Sequence, residues 1–388
     1  MSRIDELIQE LCPSGVEYEA IGNLTVRSEK MRWDDLDPTE KFRYIDLGTV
    51  DRVTHSISDT ETIMKENAPS RAQQVVREGD VLFGTTRPML KRYCVVPADF
   101  DGQVASTGFC VLRVNPDRIL TNFLFHILGT AEFYDYVESN ERGASYPAIP
   151  DNVVKRFRIP VPPLEVQREI VRVLDKFTQL EAELEAELEA RRAQYDHYRN
   201  AAAGKRNFSS GEWVPLSRVT DIRTGSKPPA ILNSGPVPYI NAGNEPSGFT
   251  SEPNVHGEAI TIPSRGQGGA GHVGYQSVDF WCGPLCYRIE SITDSFSTRF
   301  LYHYLKNIQE ELVGLRKVGS IPAVNKSDLG RVLVPVVSQS EQKRVIELLD
   351  RFDALVNDLS IGLPAELAAR RKQLEYYRDR LLTFKEAA

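Results

Sequence analysis

The chain has 388 residues, 47 basic against 54 acidic, and a net charge of −7. That length suits two or three domains, and its acidic balance does not by itself advertise nucleic-acid binding, although a local basic face would be enough. No run of about 18 apolar residues is present and the N-terminus lacks a basic-then-apolar leader, so a soluble, cytoplasmic protein without a membrane span is expected.

In chain order, residues 1–11 (MSRIDELIQEL) predict a short amphipathic helix. Ser2 is its N-cap, and Ile4, Leu7, Ile8 and Leu11 share one face. Cys12-Pro13-Ser14-Gly15 ends it. A mixed segment follows to residue 160. Its β-type runs, 80–83 and 108–113, are punctuated by Gly, Pro and Asp, and 122–128 has helical spacing. Residues 206–335 form a second such segment, with a strand at 259–262 and a helix at 298–305. The five cysteines, an odd number, argue against a disulfide framework.

The second segment is a diverged copy of the first. Tyr18 aligns with Trp213, and Tyr44-Ile45-Asp46 with Tyr239-Ile240-Asn241. SYPAIPDNVVKRFRIP aligns with SIPAVNKSDLGRVLVP. The following stretches repeat as well. VPPLEVQREIVRVLDKFTQLEAELEAELEARRAQYDHYR begins at Val161, and VVSQSEQKRVIELLDRFDALVNDLSIGLPAELAARRKQLEYYR begins at Val336. Gln167 falls on Gln342, Asp175 on Asp350 and, after a short insertion in the second copy, Arg199 on Arg378.

Both stretches have the spacing of coiled-coil helices, the first roughly 50 Å long. The first seam runs through Ile170, Leu174, Phe177, Leu180, Leu184, Leu188, Tyr195 and Tyr198. The second runs through Leu349, Phe352, Leu355, Leu359, Leu363, Leu367, Leu374 and Tyr377. Gly362 and Pro364 sit at the insertion, where a kink is expected. Two like helices in one chain favour an intramolecular pair over a dimerisation coil. The expected fold is α+β, with two mixed domains joined and spaced by an antiparallel intramolecular coiled coil, as a pseudo-twofold repeat. The expected boundaries are 1–160, 161–205, 206–335 and 336–388.

No catalytic constellation is legible. Gly204-Lys205 is followed by Arg206, which is not a P-loop. Gly266, Gly268 and Gly271 match the dinucleotide spacing, but HVGYQSVDFWCG after them reads as strand where that motif needs a helix. Cys282, Cys286 and His272 fall short of the four ligands of a closed zinc site. No Asn-Pro-Pro-Tyr run marks a base methyltransferase. His126 and His303 lie on apolar helical faces and read as packed residues.

Donor-rich loops after the strands are the candidates for DNA contact. In the first domain these are Thr85, Thr86 and Arg87, then Lys91 and Arg92, then Ser106 and Thr107. In the second they are Lys227, Asn241, Asn244, Ser264, Arg265 and Gln267. Arginine suits guanine edges and phosphates, and amide side chains suit adenine. An ordinary polar turn is the alternative for each loop singly.

Together these segments resemble the specificity (S) subunit of type I restriction–modification systems over almost the full length. The resemblance rests on MSRIDELIQELCPSGVEY, on GASYPAIPDNVVKRFRIPVPPLEVQ and its second version, and on DALVNDLSIGLPAELAARRKQLEYYRDRLLTF. Two departures concern helix entry: Val166-Gln167 stands where the second copy has Glu341-Gln342, and Val337-Ser338-Gln339 where the first has Pro-Pro-Leu. The resemblance implies a non-catalytic subunit whose two target recognition domains each read half of a gapped, asymmetric DNA site. Its helices would set the gap and dock two modification (M) subunits. S-adenosylmethionine would then sit on the M subunits, and ATP with Mg on added restriction (R) subunits. An S-like subunit of another methyltransferase-based defence system, or a coiled-coil adaptor that does not bind DNA, are the other readings.

Overall fold

The structure, a computed structural model, describes residues 3–208, 211–243, 245–266, 269–317, 321–357 and 361–387. Two compact units are present, Met1–Glu185 with Glu366–Ala388, and Ala186–Ala365. Each takes in a mixed domain together with a share of the repeated helices.

In the first unit, helix Arg3–Leu11 buries Ile4 and Leu7. Leu11, expected on the same face, is exposed, and Cys12 enters the core instead. The inward face is made by Ile4, Leu7, Ile8 and Cys12, three and four residues apart. The expected cap, Ser2, lies outside the described residues.

A four-stranded antiparallel sheet runs Thr25–Val26, Phe109–Val114, Val81–Gly84, Tyr93–Val95. Its middle strands read as unbroken apolar runs because both faces are covered. Val81, Phe83, Cys110 and Leu112 point into one core, which also holds Phe123, Phe133 and Phe157. Leu82, Phe109 and Val111 point into another, with Ile45 and Val96. That is the two-residue alternation of a strand buried on both sides. A five-stranded sheet lies beside it, in which Tyr44-Ile45 pairs in parallel with Val104-Ala105. Strand Glu17–Ala20 pairs with Arg158–Val161. The C-terminal tail closes on the same place: the Val16 amide donates to the Lys385 carbonyl and the Ala387 amide to the Val16 carbonyl, both at 2.9 Å.

The second unit repeats this plan. Its four-stranded sheet runs Thr220–Thr224, Cys286–Ser291, Ala259–Pro263, Gly274–Gln276. Tyr239-Ile240 pairs in parallel with Trp281-Cys282, so the matched dipeptides Tyr44-Ile45 and Tyr239-Ile240 occupy the same strand in the same pairing. Strand Trp213–Pro215 pairs with Leu333–Pro335, as Glu17–Ala20 does with Arg158–Val161. The second sheet here has three strands where the first unit has five.

The central helix is continuous from Leu164 to Ala203. In the first unit Phe177 stacks on Tyr377 with centroids 5.4 Å apart. Farther along the helix, Glu181 and Glu185 accept from Arg371, at 2.7 Å to Glu181. Moving forward on one helix means moving back on the other, so the pair is antiparallel. In the second unit Tyr195 and Tyr198 stack on Phe352, at 6.4 and 5.0 Å. The second copy is not one long helix. It forms Gln339–Asn357 and Leu363–Leu381, and Gly362 and Pro364 stand where the second helix begins. Leu359 lies outside the described residues. Leu188, Leu349, Leu363 and Leu367 are buried and Leu184 is half-buried, while Leu180, Leu355 and Tyr198 keep 36–38% of their surface exposed. Leu174 belongs to the first domain's core. The seam thus combines buried leucines with the aromatic pairs, and some of its predicted positions stay partly open.

Each domain is fixed to its helix by the same two devices. Gln167 is fully buried; its amide donates to the carbonyls of Arg118 at 3.0 Å and Pro162 at 2.8 Å, and its oxygen accepts from the Leu120 amide at 2.9 Å. Gln342 does the same with Ser295, Val337 and Ser297, at 2.7, 3.0 and 2.8 Å. The other device pairs His126 Nε2 with Asp175 at 2.7 Å and His303 Nε2 with Asp350 at 2.6 Å. Asn122 adds a bond to Asp175, and Arg299 to Asp350. Burial pushes both carboxyls up, but the hydrogen bonds from His126 and Asn122, or from His303 and Arg299, outweigh it and leave both below the usual range. Both histidines are thus packed residues.

Candidate nucleic-acid interface

The loop after strand Val81–Gly84 is stitched to a segment some 60 residues further on. The Thr85 amide and hydroxyl both donate to the Gly108 carbonyl, at 2.8 and 2.9 Å. The Ile149 amide donates to the Thr85 carbonyl at 2.9 Å, and the Arg87 amide to the Pro147 carbonyl at 2.6 Å. Thr86 bridges to Ala148, which exchanges two backbone bonds of 2.9 Å with Arg142. The result is a small clasp made of two loops.

The second unit builds the same clasp. The Val324 amide donates to the Ser264 carbonyl at 2.9 Å, and the Gly266 amide to the Pro322 carbonyl at 3.2 Å. Arg265 bridges to Ala323, which accepts from the Lys317 amide at 2.8 Å. By these bonds Thr85 corresponds to Ser264, Thr86 to Arg265, Arg87 to Gly266 and Arg142 to Lys317. The two Arg-bearing loops are counterparts, as the sequence suggests.

The frame separates free donors from committed ones. Thr85, Ser106 and Ser264 are buried. Ser106 accepts from the Gly108 amide at 3.1 Å and shapes that turn. Arg92 spends its guanidinium on the Leu47 and Val50 carbonyls, at 3.0 Å to the latter. Asn241 accepts from the Leu285 amide at 3.0 Å. These residues hold the loops in place. Thr107, Arg87, Lys91, Lys227 and Arg265 are exposed, and Thr86 is half-buried. Asn244 and Gln267 lie outside the described residues.

Two of the free cations hold unusual backbone. Arg87 and Lys91 have φ of 50° and 56°, in the left-handed region. The Arg87 guanidinium lies 4.5 Å from the Tyr146 ring centroid, and the Lys91 ammonium 4.6 Å from that of Tyr134. In the second unit the Lys227 loop can approach closely only because Gly225 lacks a side chain: a Cβ there would lie 1.8 Å from the Cys282 carbonyl oxygen.

Sequence reasoning missed Arg142, Tyr146, Lys317 and Ile321, all on the far side of the clasps. The signal was present: this segment aligns between the two halves and places exposed Tyr146 opposite exposed Ile321, each just before a proline. Residues 318–320 lie outside the described residues.

Among the described residues, no group of three or more His, Cys, Asp or Glu is placed to hold a metal. Cys282 and Cys286 are free and buried, and Cys282 Sγ donates to the Cys286 carbonyl at 3.5 Å. The glycine-rich run after Ser264 leads into a turn and then strand Gly274–Gln276, not a helix. Among the described residues, no helix is long and apolar enough to cross a membrane.

Two copies of one mixed domain, each with a polar, cationic clasp and a helix latch, define a two-part recognition scaffold. The model of the type I restriction modification DNA specificity domain matches residues 28–190 and 211–369, and the chain belongs to that family. The specificity subunit of the Escherichia coli type I enzyme EcoR124I/EcoR124II is 28% identical over 74% of this chain and 76% of its own length. A specificity subunit of Haemophilus influenzae, S.HindORF215P, is 27% identical over 69% of this chain and 73% of its own length. A solved chain from work on complex assembly and conformational transition of the type I R-M system superposes with a TM-score of 0.63 at 27% identity, covering 95% of this chain and 98% of that one. The S subunit from M. genitalium gives 0.64 at 18% identity over 95% of this chain and 96% of its own, which bears on the fold alone. The resemblance read from the sequence is borne out, and the role is that of the specificity subunit, which is not the catalytic one.

Proposed function

We propose that this chain supplies the DNA address of a type I restriction–modification complex, each unit reading one half of a bipartite, asymmetric site. The observation that carries this reading is the pair of clasps. Their backbone bonds coincide, while their outward side chains differ: Thr86 against Arg265, Arg87 against Gly266, Tyr146 against Ile321. A common frame with changed donors suits two surfaces that read different base sequences.

In this reading the repeated helices dock two modification subunits, and restriction subunits join that assembly. S-adenosylmethionine belongs to the modification subunits, ATP and Mg to the restriction subunits, and the complex works on double-stranded DNA in the cytoplasm. Single-molecule methylation sequencing of cells expressing this chain with and without its neighbouring methyltransferase tests the proposal. A gapped, asymmetric adenine-methylation motif that appears only with both supports it. The absence of any motif, while the same methyltransferase is active with another specificity subunit, refutes it.

A further inference from the structure

We infer that Tyr146, with Arg87 stacked on one face, packs its other face against bases of the half-site read by the first unit. This rests on the DNA-recognition role proposed above. Tyr146 is 71% exposed, so its ring adds little to the core of its own unit. Yet its position is closely defined. Arg142 and Ala148 exchange two backbone bonds around it, and the next residue, Pro147, accepts from the Arg87 amide. Gly143, at φ 102°, lets the turn close: a Cβ there would lie 3.0 Å from the Tyr146 carbonyl oxygen.

Arg87 gives the second argument. It holds a left-handed backbone at φ 50°, which costs an L-residue energy, while its counterpart Gly266 takes a different positive φ, 131°. Such strain gathers at functional sites, where the side chain is worth keeping despite it. The side chain kept here is a guanidinium 4.5 Å from the tyrosine centroid. A planar cation on an aromatic ring stiffens the ring and leaves one face open. Lys91 and Arg142, also exposed, add two more cations to the same two loops. That chemistry matches phosphates flanking a base step, and it is the arrangement of side chains that wedge into or stack on DNA bases. At the corresponding tip of the second unit Ile321 is 60% exposed, so that half-site would meet an aliphatic contact.

The test uses the chain assembled with its methyltransferase and a duplex carrying the methylated motif, with 2-aminopurine at successive positions of each half-site. Tyr146→Ala is expected to weaken binding about 10-fold, the range of a lost base–aromatic contact. It should leave the salt dependence of binding unchanged, because no phosphate contact is removed. Tyr146→Phe should bind as wild type, and the 2-aminopurine change should be lost only in the half-site read by the first unit. The side chain is exposed, so thermal melting of Tyr146→Ala should match wild type, which separates recognition from folding. Wild-type affinity for Tyr146→Ala, or a reduced salt slope, overturns the inference while leaving the recognition role intact. Failure of the wild-type complex to prefer any sequence overturns the recognition role, and this inference with it.

Discussion

Replacing Gln167 by alanine should loosen the first domain from its helix and cost roughly 4 kcal/mol. The side chain is fully buried and satisfies three backbone groups, the Leu120 amide and the Arg118 and Pro162 carbonyls. Alanine would leave the Leu120 amide without its acceptor, at about 2 kcal/mol, and would strip one bond from each carbonyl, at about 1 kcal/mol apiece. That is a large share of the 5–15 kcal/mol typical of a domain. Gln167→Glu would keep the acceptor for Leu120 but turn a carboxylate oxygen toward two carbonyls, so it should rescue only in part. Urea unfolding, with hydrogen exchange followed in peptides spanning 118–122 and 295–299, reads the two units separately. Gln167→Ala should lower protection in the first peptide and Gln342→Ala in the second. A loss below about 1 kcal/mol for either would mean that the latch is decorative and the reasoning wrong.

Three further outcomes are expected. Arg265→Ala should relax one base position of one half-site at about 1–3 kcal/mol, read by methylation sequencing; a uniform loss across sequences would make Arg265 a phosphate contact instead. Gly225→Ala should lower the melting temperature, by roughly 2 kcal/mol of stability or more, because its Cβ would meet the Cys282 carbonyl at 1.8 Å; an unchanged melt would show that the loop yields easily. The depressed carboxyls of Asp175 and Asp350 contribute stability that is present above the ordinary carboxylate range and lost as pH falls through their folded values. Melting followed from pH 6 to pH 3 should therefore fall more steeply in wild type than in Asp175→Asn/Asp350→Asn, and parallel curves would contradict the assignment.

The parts of this molecule legible in its sequence are those whose physics is local or repeated. The helices announce themselves by apolar spacing, and the buried strands by short apolar runs. The internal repeat then carries the rest: Tyr44-Ile45 and Tyr239-Ile240 align in sequence and make the same parallel pairing in the fold. Local preference also shows where the periodicity is interrupted. The second helix copy breaks at Gly362 and Pro364, where a kink is expected, although the seam residues continue on both sides.

The site was less legible because a loop's polar residues carry no local sign of whether they are spent. Thr85 and Thr86 are adjacent and alike, yet the Thr85 hydroxyl is held by Gly108 while Thr86 keeps part of its surface. Arg87 and Arg92 are both arginines of one loop, yet Arg92 is consumed by the Leu47 and Val50 carbonyls. The partners that decide these cases lie tens of residues away, and only the fold brings them close. The same long-range pairing brings in the residues that local reasoning passed over. Tyr146 and Arg142 look like turn residues until the Thr85 and Arg87 backbone is found bonded across to their neighbours Ile149 and Pro147. A chain that keeps one clasp frame in both halves, and varies what projects from it, can change the sequence it reads in one half without disturbing the core that holds the other.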